Sequence, residues 1–363
     1  MPFTEEQIGY AGNHVIDNYL RNKPIDQINV DRPLIRKLTE GKQNWGGGLQ
    51  FVVENLRFSN DSNFQAYFGD SQVTYNRKRT LGQAKYRWGS FHDGFGLNED
   101  ELAQNGIIVT DDRNATSSQA ERIQLVNLLE ENTEALRLGW QENMDKMLHR
   151  DGTQDPLAIG GLDHLVSLTP GQGAVVGGIT DNVQPLWNNY AKTGIDGTDG
   201  EKLIDELEKG WRECIRRGGS TPNFILAGSD FIDAYRAAAT SAINRQVQLG
   251  TGGRGNRNAT VLDPSIGEGV KTGLFFKGVE VIWDPVFDEL DDEDNPVIPW
   301  SGRCYFLNMR HLKLRPIEGH WMVRRKPPRV YDRYVHYWAL TAKCAMTTNK
   351  RNAHAVFALD VGT

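Results

Sequence analysis

The chain has 363 residues, room for one large domain or two to three smaller ones. Hydrophobic residues make up 39% and charged residues 24%, proportions that go with a real core. With 41 basic against 47 acidic residues the net charge is −6, which excludes a binder of nucleic acid that works by basic excess.

Thr4 can cap a first helix, with Glu5 and Glu6 in its opening turn and Ile8, Val15, Ile16 and Tyr19 apolar, running to about Leu20. Pro24, Pro33 and the polar stretch Asp26 to Arg32 are expected to break any regular element after it. Residues 1–48 therefore read as an arm that lies on another surface. From 49 to 98 there are strand signals without a strand-sized core. Leu49 to Phe58 follows the Gly46-Gly47-Gly48 hinge, Val73 and Tyr75 alternate with polar neighbours, and so do Tyr86 and Trp88. Arg77, Lys78 and Arg79 form a basic tip between them. A long two-stranded excursion of this kind needs a partner surface.

Residues 118–148 carry the clearest helix. Leu125, Leu129, Leu136, Trp140, Met144 and Met147 or Leu148 recur at three-to-four-residue spacing, one apolar stripe on a rod of about 46 Å. Short strands alternating with glycine turns are expected at Leu162 to Leu168, Gly173 to Ile179 and Leu186 to Tyr190. The chain returns to helix at 200–217, with Leu203, Ile204, Leu207, Trp211 and Ile215 on one side and Gly218-Gly219 as its stop. Phe224 to Ala227 reads as a buried strand, and 230–242 as a second helix capped by Ser229 or Asp230. Strand, helix and strand in succession mark a separate α/β region. A glycine- and arginine-rich loop spans Leu249 to Asn258.

Strands are expected at 273–283 and 303–315. Between them every charged residue from Asp284 to Asp294 is acidic, which reads as a solvated loop. Bases then dominate 310–333, among them Arg324, Arg325 and Lys326. Apolar runs split by Thr347 to Asn352 close the chain as a late β-hairpin over Tyr331 to Leu359.

Catalytic chemistry finds no foothold. Gly267 to Thr272 has Val270 where a phosphate loop needs glycine before the lysine, and neither a G-x-S-x-G elbow nor an H-E-x-x-H helix occurs. His149, His164, His311 and His320 are scattered and read as structural. The run 284–294 lacks the glycine turn and ligand spacing of a calcium loop. Cys214, Cys304 and Cys344 are odd in number and far apart, so buried free thiols are expected. No apolar run reaches the roughly 18 residues of a membrane span, and Met1 to Tyr10 has no signal-like segment, so the chain reads as made and used in a cytoplasm. The expectation is a protein that is not an enzyme and takes no metal or cofactor.

An arm, a protruding hairpin, a long helix, an inserted α/β region and returning strands, in that order, resemble the Hong-Kong-97-like fold of tailed-bacteriophage major capsid proteins. Local wording agrees. Gly161-Leu162 to Val166, Gly177-Gly178-Ile179 and Trp187-Asn188-Asn189 look like the stretch after that family's spine helix. Phe276 to Val281, Tyr305 to Asn308 and Leu312 to Leu314 are similar to its returning strands. The resemblance implies an α+β fold: an N-terminal arm (1–48), an extended β-hairpin loop (49–98), a peripheral domain (99–185 with spine helix 118–148, and 301–363) and an axial domain (186–300). It implies a head protein that assembles as hexamers and pentamers into an icosahedral shell around double-stranded DNA. An encapsulin-like compartment is the alternative. The implied partners are other copies of the chain, a separate scaffolding protein, a portal protein and room for a decoration protein. A separate scaffold is expected because only about 50 residues precede the first strand, where many relatives carry a cleaved segment of about a hundred. The location implied is the virion, after assembly in the host bacterial cytoplasm. Assembly contacts are expected at Arg77, Lys78, Arg79, Lys85 and Arg87 on the loop, at Asp291, Asp292, Glu293 and Asp294, and at Arg324, Arg325 and Lys326. Opposite signs on one self-assembling chain can steer neighbours into register. A lysine–asparagine weld through Lys78 or Lys85 with Asn349 or Asn352 is not expected, since no carboxylate neighbours either asparagine in sequence.

Overall fold

The computed structural model describes residues 31–58, 62–77, 80–104, 119–249, 271–326 and 335–360. The expected helix from Thr4 to Leu20, residues Lys78 and Arg79, and nearly all of the Leu249 to Asn258 loop lie outside them.

The elements begin with helix α1 (Pro33–Glu40), strands β1 (Phe51–Arg57), β2 (Leu81–Arg87) and β3 (Gly89–Asn98), and helices α2 (Glu99–Gln104) and α3 (Gln119–His149). Then come α4 (Leu162–Leu165), β4 (Val175–Val176), β5 (Ile179–Thr180), β6 (Tyr190–Ile195), α5 (Gly200–Gly218), β7 (Phe224–Ala227) and α6 (Ser229–Leu249). The last third holds β8 (Lys271–Phe276), β9 (Val279–Trp283), α7 (Pro285–Asp294), β10 (Arg303–Leu307), β11 (Leu312–Pro316), β12 (Val323–Arg325), β13 (Val335–Thr348) and β14 (Ala355–Leu359). They fall into two compact units, one with 90–144 and 318–343, the other with 31–89, 145–317 and 344–363.

In the first unit β13 is the centre, pairing with β12 from Val323↔Thr341 to Arg325↔Ala339 and with β3 on its other side. A Cβ on Gly94 would sit 2.7 Å from the Trp338 carbonyl, so only glycine lets β3 approach this closely. Leu97, Leu102 and Leu128 form a small core with Phe95 stacked on Trp338 at 5.5 Å. On α3, Trp140 and Met144 are buried, and Trp140 meets Trp321 edge-on at 5.3 Å. Leu136, expected on the same stripe, is only half-buried.

The second unit is organised by a six-stranded mixed sheet in the order β6-β14-β10-β7-β9-β8. β6 with β14 and β7 with β9 run parallel, while β10 pairs antiparallel to both β14 and β7. All four residues of β7 and all five of β10 are buried, so neither strand alternates, and Arg303 is the one charged residue in them. Leu203, Leu207 and Trp211 of α5 and Phe231 and Tyr235 of α6 pack on Phe306 and Phe357 of the sheet. Asp199 caps α5 by accepting from Lys202 N (3.2 Å), and Gly219 ends it at φ 66°, as the glycine pair predicted. Cys214, Cys304 and Cys344 are free and buried.

Several sequence expectations are corrected here. Pro33 starts α1 instead of breaking the chain, because its fixed φ and missing N–H suit a first helical turn, and Leu34, Ile35 and Leu38 are buried. The stretch from Leu162 is the single-turn helix α4, not a strand. Gly173 to Ile179 is not one strand either, since Gly177 and Gly178 (φ 63° and 74°) turn it into the β4–β5 hairpin. Val73 and Tyr75 lie in irregular chain with Tyr75 exposed. The C-terminal runs do not pair with each other: β13 pairs with β11 in this unit, and β14 lies between β6 and β10. The acidic run is the helix α7, capped by Asp284, with Val286, Phe287 and Leu290 buried.

Candidate assembly surface

β1 and β2 form a separate two-stranded ribbon, in register from Phe51↔Arg87 to Arg57↔Leu81. Val52, Leu56, Ala84 and Tyr86 are buried while Arg57, Leu81, Lys85 and Arg87 are exposed, so period-two alternation gives the ribbon one seated face. Polar bonds fix its root. Tyr86 Oη donates to Thr348 O (2.7 Å), and Lys85 N donates to Gly177 O (2.8 Å). Arg315 pairs with Glu54 at 2.6 Å, and Thr347 Oγ1 donates to the same carboxylate (3.3 Å). Burial holds the Tyr86 phenol far above its ordinary range, so it stays a donor. A Cβ on Gly177 would lie 3.0 Å from Ala84 Cβ, so this turn must be glycine for space as well as for φ.

Beyond Arg57 the chemistry reverses. Phe64 is 95% exposed, Phe68 92% and Tyr75 90%, with Tyr67 and Leu81 also open. A concentration of bare aromatic side chains on one excursion marks a surface made for contact. The basic-tip reading from sequence overlooked them; the available signal was aromatic residues among turn formers, with no apolar partner run.

The expected contact residues are distributed as follows. Arg77 is exposed at the end of the excursion, and Lys85 and Arg87 share the exposed face of β2. Arg87 Nη1 donates to Pro156 O (2.6 Å). Asp291 is used within the subunit, accepting from Trp300 N (2.6 Å) and Ser301 N (2.8 Å). Glu293 and Asp294 pair with Arg150 at 2.8 and 2.7 Å, and Lys146 also reaches Glu293 at 2.7 Å. Asp292 is exposed. In the first unit Arg324, Arg325 and Lys326 are exposed on and just after β12; Arg325 Nε donates to Thr341 Oγ1 (3.3 Å), and Lys326 lies 5.9 Å over the Trp338 ring. Asn349 accepts from His311 and Asn352 donates to Leu186 O.

One buried polar cluster has ligand-like chemistry. Asp145, His149 and Asp284 place a ligating atom each within 4.8 Å of one another. A metal fits poorly. His149 Nε2 is already 2.9 Å from Asp284 Oδ2, its Nδ1 is 2.8 Å from the Asp145 carbonyl, and Asp145 Oδ1 accepts from Ile35 N (3.0 Å). With both ring nitrogens facing oxygens, the ring is an imidazolium. Burial alone would lower the His149 pKa, but the carboxylates of Asp284 and Asp145 outweigh it and raise it to about 9. Burial raises the Asp145 carboxyl as well. Arg32 stands 4.0 Å from Asp145, so two cations balance two carboxylates. The cluster ties α1, the end of α3 and the start of α7 together, a structural role.

No family model and no curated protein matches the sequence. Solved structures do match by shape. The cyanophage A-1(L) capsid subunit superposes with a TM-score of 0.62 at 15% identity, over 97% of this chain and 99% of that one. The capsid of Myoviridae phage XM1 gives 0.54 at 12% identity (94% and 97% covered), and a structure from Gordonia phage Cozz 0.53 at 13% (100% and 98%). This chain has the phage capsid fold. The α+β, Hong-Kong-97-like architecture expected from the order of parts is thus the observed one. Among the described residues no helix is long and apolar enough to cross a membrane.

Proposed function

We propose that this chain is a major capsid protein, a structural subunit and not an enzyme, that self-assembles into hexamers and pentamers of an icosahedral phage head enclosing double-stranded DNA. The observation that carries the reading is the capsid fold combined with a ribbon seated at its root and bare at its aromatic end. A free subunit would keep that end covered; a shell subunit offers it to a neighbour. In this reading 49–98 reaches across an adjacent subunit, 1–48 lies along another, 186–300 gathers at the capsomer centre, and 99–185 with 301–363 forms the periphery. The net charge of −6 suits an inner wall that does not hold the packaged polymer. A separate scaffolding protein, a portal and a decoration protein are the partners this role calls for, and the virion is the place, reached from the host cytoplasm. Arg77 to Arg79, Lys85, Arg87, the exposed acids of α7 and Arg324 to Lys326 remain its proposed contact residues.

Electron microscopy of the purified chain is the test, with and without a co-expressed scaffold. Shells or sheets with sixfold and fivefold capsomers support the reading, and packaged DNA in particles from infected cells separates a head from a cargo compartment. A chain that stays monomeric at high concentration under both conditions overturns it.

A further inference from the structure

A cavity of about 370 Å³ opens at the root of the ribbon. Phe51, Val175 and Met346 give it apolar wall, and Lys85, Arg87 and His164 give it polar wall; no carboxylate lines it. Among the described residues neither Lys85 nor Arg87 pairs with a carboxylate. The site is apolar and electropositive, so it fits an aromatic side chain next to an acid. Within the described excursion 62–77, one acid occurs. Asp70 is exposed, pairs with no cation among the described residues, and follows the open Tyr67 and Phe68.

The ribbon holds its tip away from its own cavity. The cavity lies at the Phe51↔Arg87 end, and the tip extends beyond Arg57↔Leu81, the last of the seven residue pairs counted from there. At about 3.3 Å per residue that separates root and tip by about 20 Å along a paired ribbon. In the single chain the tip does not turn back into its own cavity, since its aromatics are open. Tip and root are different patches, so joining them between copies is a heterologous contact, the kind that closes into rings.

We propose that the Tyr67-Phe68-Gly69-Asp70 turn of a second copy docks in this cavity, with the Asp70 carboxylate between Lys85 and Arg87 and the Phe68 ring against Phe51 and Val175. The inference rests on the shell-subunit reading and adds to it the receiving site and its chemistry.

The test uses assembled particles of the full chain carrying Asp70→Cys with Arg87→Cys, treated with a short bismaleimide. The native cysteines are buried and free, so they stay silent in folded particles. The expected result is a ladder of covalent species at integral multiples of the chain mass, absent from either single variant. In parallel, Asp70→Lys and Arg87→Glu should each lower particle yield at least tenfold, and the double swap should restore most of it. Particles that assemble but give no ladder overturn the docking site and leave the shell reading standing. A ladder at masses that are not multiples of the chain overturns the choice of a second copy as occupant. Failure of the unmodified chain to assemble overturns both.

Discussion

The six-stranded sheet and the β1–β2 ribbon use similar residues to opposite ends. In the sheet, Phe306 and Phe357 meet at 4.9 Å and neither reaches solvent, so their burial is complete within one chain. In the ribbon, burial stops at Leu56, and Phe64 and Phe68 a few residues on are almost wholly open. The difference teaches where each region's free energy resides. Sheet aromatics stabilise the subunit; tip aromatics can stabilise only an association. Stability and assembly should therefore respond to different substitutions.

The largest loss of subunit stability is expected in the sheet. Phe357→Ala removes a fully buried ring and should cost about 3–5 kcal/mol, against a total of about 5–15 kcal/mol for a typical domain. Soluble yield and thermal melting report it, and a soluble, native-like variant would break the comparison. Next comes the imidazolium of His149. Its folded pKa of about 9 lies above the ordinary 6.5, so its contribution is complete below about pH 6.5 and disappears as pH rises through 9. The raised Asp145 carboxyl also loses its share as pH rises, but in a lower window that ends near pH 7. The melting temperature of unassembled subunits should fall over the His149 window, by on the order of 2–3 kcal/mol in stability, and His149→Gln should remove the slope. A flat profile in the unmodified chain would mean the ring is neutral.

At the ribbon root, Glu54→Ala strands the partly buried Arg315 and should cost about 1–3 kcal/mol. Hydrogen exchange should show the loss concentrated in 51–57 and 81–87. The smallest effect on stability belongs to the tip. Phe64→Ser with Phe68→Ser should shift subunit stability by no more than about 0.5 kcal/mol, since both rings are exposed, yet lower the particles formed per soluble subunit more than any of the others. Unchanged yield from that pair would remove the reason for treating the tip as an interface.

Two of the long helices were legible in the sequence almost to the residue, while α6 runs to Leu249, well past its expected end at 242. α5 runs one residue past its expected end, and α3 matches its expected span within one residue at each end. α7 was not legible because carboxylates dominate its surface. Its signals were the Asp284-Pro285 start and the spacing of Val286, Phe287 and Leu290, and its charge is absorbed by Lys146 and Arg150 from a distant part of the chain. α4 has one turn, too short to show a period. The C-terminal runs looked like a hairpin because they are adjacent, but β14 pairs with β10 and with the far earlier β6, while β13 pairs with β11, β12 and β3. At the assembly surface the cations of β2 could be named from sequence, whereas the aromatic tip and the receiving cavity could not. Exposure and concavity are properties of the folded surface, and no periodicity encodes them.

A ribbon that has two strands, and no third among the described residues, has consequences for how the chain is kept before use. Both of its outer edges carry backbone donors and acceptors, of which Lys85 N is taken up by Gly177. Such edges accept any extended segment that comes near, a correct neighbour or a stray one. Where a neighbouring copy pairs with such an edge, its binding would add to the ribbon's order by mass action. Dilute subunits should lose ribbon order well before they lose the sheet, so the quantity of chain in the cell, as much as its sequence, sets how much of it is fully folded.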